Sequence, residues 1–129
     1  MAVAAILAPS GCSLGADEEP QPVSGVPKDI ATMVDQLERS IATKKFAEVC
    51  DELFTAGAKQ RAGGAECASQ LSSAAEGVRH PTIEIRGIDV EGSRATVRVA
   101  TEADGQARAM DTLRLRREGG HWRVDALTG

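Results

Sequence analysis

Few residues of this chain are of types that do chemistry, and their spacing joins none of them into a familiar catalytic set. The two histidines stand apart. His80 precedes Pro81 at what reads as a helix-to-strand junction, and His121 follows Gly119 and Gly120 at a turn. Both read as surface imidazoles rather than as bases. No Ser–His–Asp order, glycine-rich phosphate loop or cluster of metal-ligating residues is evident in the sequence. No cofactor and no metal are therefore expected. Among the carboxylates, Asp111 is the one candidate for catalysis, because it shares parity with Leu113 and Leu115 and would point inward with them. A lone carboxyl in an apolar pocket can serve as a general base, since burial makes it hold its proton more tightly than in water. The competing reading leaves Asp111 in water or paired with an arginine. Asp29, Asp35 and Asp89 would face inward only if the assignment of faces slipped.

The cysteines carry a different message. Residues 1–12 run Met-Ala-Val-Ala-Ala-Ile-Leu-Ala-Pro-Ser-Gly-Cys. The apolar run from Ala2 to Ala8 is too short to cross a bilayer as a helix. Followed by the small residues Ser10 and Gly11 and then Cys12, it resembles the end of a bacterial lipoprotein signal. The chemistry fits: a signal peptidase needs small side chains beside the scissile bond, and the Cys12 thiol would carry the diacylglyceryl anchor. No Lys or Arg precedes the apolar run, so the start of the signal is expected upstream of Met1. Residues 13–26 hold Gly15, Pro20, Pro22, Gly25 and three acids, a composition that stays extended and reads as a tether. The organisation expected is thus a signal over residues 1–12, a tether over 13–26 and one domain over 27–129. The expected location is the outer face of a bacterial cell membrane, held there by lipid.

With Cys12 assigned to lipid, Cys50 and Cys67 remain. They form no CxxC and have no histidine at ligand spacing, which argues against zinc. In an oxidising compartment the pair reads as a structural disulfide, and a loop of that size contributes about 3 kcal/mol. In the cytosol the same pair would be two buried free thiols.

Composition narrows the partners. The chain has 129 residues, a length that suits one domain. Most of its formal charge of −4 comes from Asp17, Glu18 and Glu19, so the part from Lys28 onward is nearly neutral. A nearly neutral domain without a polybasic run has no electrostatic footprint for nucleic acid or for anionic lipid. Its arginines fall mostly after Val78 and are interleaved with acids, the pattern of a solvated sheet face. Aromatics are scarce, limited to Phe46, Phe54 and Trp122 with no tyrosine, so the core must be aliphatic.

The elements that would position these residues come in two blocks. Pro27 suits the first turn of a helix, and Ile30, Met33, Val34, Leu37 and Ile41 then fall on one helical face. A second helix from Thr43 would place Phe46, Val49, Cys50, Leu53 and Phe54 together, ended by Gly57 and by Gly63-Gly64. A third would carry Cys67, Leu71, Ala74 or Ala75, and Val78. Beyond residue 82 the period becomes two. Ile83 and Ile85 are odd whereas Ile88 and Val90 are even, so a bulge or bend is expected at Gly87. Strands through Ala95–Val99, Ala107–Arg117 and His121–Val124 follow, with turns at Gly92, Asp104-Gly105 and Gly119-Gly120. Helices followed by a four-strand antiparallel meander make an α+β domain with helices on one sheet face.

This order, with the strand Gly-Ser-Arg-Ala-Thr-Val-Arg-Val at 92–99 and the closing Gly-Gly-His-Trp-Arg-Val-Asp at 119–125, resembles the small exported domains of the nuclear transport factor 2-like superfamily. The likeness covers about Pro27 to Ala126. It implies a bent sheet wrapped round helices into a cone. Members of that superfamily use the cone interior for ligands or for acid–base chemistry assisted by tyrosines, which this chain lacks. The favoured reading is a non-catalytic, membrane-anchored domain that binds a small apolar ligand or an envelope protein. One alternative is a small isomerase or dehydratase using Asp111. Another is an accessory domain acting as a homodimer through its exposed sheet.

Overall fold

A computed structural model describes residues 25–128. The Cys12 attachment site and the signal and tether ahead of Gly25 lie outside the described residues. The first helix, α1 (Val26–Ala42), takes Pro27 into its first turn. It buries Ile30, Met33, Val34 and Leu37, as the helical spacing predicts, and adds Ser40. The helix thus starts inside the stretch read as tether, because the Gly25 carbonyl accepts from the Lys28 and Asp29 amides and opens the first turn there.

The second helix differs from the single element expected. The segment α2 (Phe46–Glu48) passes at once into a π-helical turn over Val49–Leu53, closed by the Phe54 amide donating to the Val49 carbonyl. The chain then leaves helical geometry, because the edge of the last strand offers it partners. Phe54 bridges to Val124, and the Thr55 amide donates to the Val124 carbonyl at 2.9 Å. Gly57 does not interrupt anything: it lies within a further short helix, α3 (Ala56–Arg61). That helix forms because Thr55 caps it, its hydroxyl accepting from the Ala58 amide at 3.0 Å. Gly63 and Gly64, both at positive φ, make the break the sequence predicts, and a 3-10 turn leads into α4 (Cys67–Ala74).

The sheet is an antiparallel meander in sequence order: β1 (Thr82–Glu91), β2 (Arg94–Ala103), β3 (Gln106–Glu118) and β4 (His121–Thr128). The parity break is real. Ile85 pairs with Val99 and Gly87 with Arg98, which leaves Arg86 as the extra residue and brings Ile88 opposite Val97. The β4 strand runs four residues beyond the expected end at Val124, because a second bulge lets Ala126–Thr128 pair with Thr112–Arg114. Arg114 faces Ala126 and Leu115 faces Val124, so Asp125 is the residue bulged out. Ala95, Val97, Val99, Leu113, Leu115, Trp122 and Val124 point to the helices and form one core with the apolar face of α1 and with Val49 and Leu53. The result is α+β, with all helices on one face of a bent sheet.

Each sheet edge is met at one point by the helical layer. On β1 the Ile83 amide donates to the Glu38 carboxylate of α1 at 2.6 Å, and on β4 the edge is taken by Phe54 and Thr55. A disulfide joins Cys50 to Cys67 with Cα atoms 6.1 Å apart, tying the π turn to α4.

Candidate ligand cavity

The helical layer does not fill the space between itself and the sheet, and what is left opens to solvent. Between α1, the π turn, α3, α4 and the inner face of β3 and β4 lies a cavity of about 500 Å³. Its size falls in the range of small-molecule sites. Leu37, Val49, Phe54, Leu71, Leu113 and Val124 make its deeper wall, and small residues of α3, α4 and the positions just after them, among them Ala58, Ala62 and Ala75, leave the room. Fewer large side chains in that layer mean fewer atoms to occupy the cone, which is the local origin of the void. Leu127 lines the cavity and is 62% exposed, which marks the mouth.

Two charged side chains line the cavity, Arg61 at the end of α3 and Asp125 at the β4 bulge. The Thr55 hydroxyl, itself buried, donates to Asp125 Oδ1 at 2.7 Å. Arg61 Nη2 donates to the Asp125 carbonyl and lies 3.5 Å from Oδ1. The Thr55 hydrogen bond holds the Asp125 carboxyl below its ordinary value; burial opposes this, and the charges of Arg116 and Arg61 add to it. Asp125 is accordingly an ionised and weakly basic carboxylate. Sequence parity missed it. Trp122 and Val124 face inward, so alternation points Asp125 outward, and only the bulge brings it to the cavity. A doubled contact on β4 leaves no mark in a sequence whose inward residues alternate normally up to that point.

The residues singled out by sequence are placed as follows. Asp111 pairs with Val99, on the helix-facing side of β3, half-buried, and the Thr101 hydroxyl donates to its Oδ2 at 3.0 Å. It is not among the residues that line the cavity. His80 sits exposed at the helix-to-strand junction, its Nδ1 2.5 Å from Asp104 Oδ2 on the β2–β3 turn. His121 lies exposed beside a second, polar cleft with Asp29, Glu52, Arg117 and Arg123. That cleft has about 560 Å³, but mixed charges line it, so an apolar group would gain little by leaving water for it. Neither histidine reaches the apolar cavity. Cys50 and Cys67 are joined as the sequence predicts, and they hold two elements of the cavity wall together. Among the described residues no group of three or more His, Cys, Asp or Glu could hold a metal ion.

The outer face of the sheet, which a dimer would use, is solvated and charged. Arg94 stands directly across from Glu91 on one side and from Arg116 on the other, and Arg108 bridges Glu84 and Glu102 at 2.9 Å each.

No protein-family model matches the chain, and no curated protein matches it. Solved structures do. An NTF2-like protein of unknown function from Silicibacter pomeroyi superposes with a TM-score of 0.60 at 16% identity, over 78% of this chain and 90% of that one. A SEC-C motif containing protein from Rhodopseudomonas palustris gives 0.59 at 14% identity, over 75% of each chain. An NTF2-like protein of unknown function from Shewanella baltica gives 0.50 at 14% identity, over 81% and 94%. At such identities the likeness is one of fold.

Proposed function

Starting from a nuclear transport factor 2-like fold, we propose that this chain is a non-catalytic, membrane-anchored extracytoplasmic domain that binds a small apolar ligand inside its cone. The observation that carries the reading is the cavity: about 500 Å³, walled by aliphatic and aromatic carbon, with charge confined to one pair. An apolar guest that fills it loses water-exposed surface at roughly 25 cal/mol per Å², and the wall regains contacts that a void forgoes. The charged residues supply no acid–base engine. Asp125 is held ionised by Thr55 and its neighbours, Asp111 does not line the cavity, and the chain has no tyrosine to stabilise an oxyanion. Anchoring through Cys12 rests on the signal-like segment at residues 1–12, and the disulfide agrees with an oxidising compartment.

Titration with a neutral naphthylamine dye tests the ligand reading. The dye is expected to bind saturably at one site, and Ala75→Phe, which places a ring in the cavity, is expected to abolish binding while the domain stays folded by circular dichroism. Unsaturable dye partitioning, the same in both proteins, would count against it.

A further inference from the structure

From the pair at the mouth, and resting on the cavity reading above, we infer that the ligand is an amphiphile with a carboxylate head, its tail in the cone and its head on the Arg61 guanidinium. The two charged groups at the cavity differ in what they have left to offer. Asp125 is half-buried and already served, by the Thr55 hydroxyl at 2.7 Å and by Arg61. Arg61 is the more open partner, its side chain 62% exposed against 31% for Asp125. Only its Nη2 is engaged, by the Asp125 carbonyl and carboxylate. Among the described residues its Nη1 and Nε have no protein acceptor. Nη2 shares one edge of the planar fork with Nη1 and the other with Nε, and its bond to the Asp125 carbonyl uses one of its two N–H groups. One edge therefore keeps two donors, the geometry that takes a carboxylate through two parallel hydrogen bonds.

The space for that fork is built into α3. The guanidinium lies against Gly57, where a Cβ would stand 3.2 Å from Nη1, so the helix surface leaves it a seat beside the cavity. Charge points the same way. Asp125 is already engaged, and the exposed guanidinium of Arg61 is the charge left facing the mouth. An ammonium head would meet that guanidinium, whereas a neutral hydroxyl would use one donor and leave the other idle. A carboxylate satisfies both donors.

The experiment uses the full chain and displaces the bound naphthylamine dye with dodecanoate, dodecanol or dodecylamine, which share one tail and differ in the head. Dodecanoate is expected to bind on the order of tenfold tighter than dodecanol, the scale of a charge-assisted hydrogen bond, with dodecylamine weakest. Arg61→Gln should bring the dodecanoate-to-dodecanol ratio close to one. Arg61→Lys, which keeps the charge and loses the fork, should leave an intermediate ratio and provides the test if the Gln variant does not fold. Dodecanol or dodecylamine binding as tightly as dodecanoate overturns the carboxylate head and leaves the cavity standing. A ratio unmoved by both substitutions does the same. Failure of the dye itself to bind overturns the cavity reading, and this one with it.

Discussion

Asp125 shows how one side chain can serve both structure and site. Its carboxylate accepts from Thr55, seventy positions away in sequence, and so fastens the start of α3 to β4. Because the folded protein holds this group below its ordinary value of 3.8, its ionised form stabilises the fold. That stabilisation is present in full above the ordinary carboxylate range and is lost as pH falls through the lower, folded value. Asp125→Asn is therefore expected to cost about 1–2 kcal/mol at neutral pH, the worth of a charge-assisted bond. In urea titrations the gap between the two proteins should close on acidification below about pH 4. A gap that stays constant into strong acid would show that the carboxylate charge contributes nothing. Glu48 is a parallel case within the helical layer. Ser40 and Gln36 donate to it at 2.5 and 2.7 Å, and Ser40 first, then Gln36, hold its carboxyl low.

Among the elements, the π turn and α4 depend most on a covalent tie. Neither is long: Val49–Leu53 is one turn and α4 has eight residues, too short to stand without tertiary support. The Cys50–Cys67 bond joins them, and both contribute cavity wall through Val49 and Leu71. Replacing both cysteines with alanine should cost about 3 kcal/mol by loop-closure entropy, which corresponds to a fall in Tm of about 10–20 °C. The same variant should bind the naphthylamine dye more weakly, since the wall can then fluctuate. Unaltered Tm under reducing conditions would mean that packing alone fixes these turns. The order of elements and most of their buried faces were legible in the sequence, as α1 and the Gly87 bulge show. The break at Leu53 was not, because the partner that ends the helix is the Val124 carbonyl on a distant strand. Nor was α3. Gly57 suggests a stop, and only the Thr55 hydroxyl, buried and doubly bonded, makes a helix there worthwhile.

At the scale of the whole molecule, the domain is a bent sheet covered on one face by one long helix and several short ones, with an apolar void left between the layers. Such an object suits a position where it can meet apolar compounds, and the Cys12 reading supplies one. Mass spectrometry of the protein taken from native membranes under non-reducing conditions should find a mature N-terminus at Cys12 with added acyl mass. It should also find Cys50 linked to Cys67. An unmodified Cys12 within an uncleaved N-terminus would remove the anchor from the proposal and leave the cavity untouched.

What this sequence determined by itself is what local periodicity can encode. Ile30 to Leu37 declare a helical face, Ala95 to Val99 a strand face, and the change of parity between Ile85 and Ile88 declares a bulge between them. Each rests on neighbours in the chain, so a few residues suffice to read it. Only the tertiary structure decided the rest. The cavity is a distance between layers that the small residues of α3 and α4 fail to fill, and no single segment contains that distance. Arg61 and Asp125 meet across sixty-four positions because a bulge turns one strand residue off its expected face. Contacts of that kind arise from how elements pack, which is why the site became visible only once the sheet had bent round its helices.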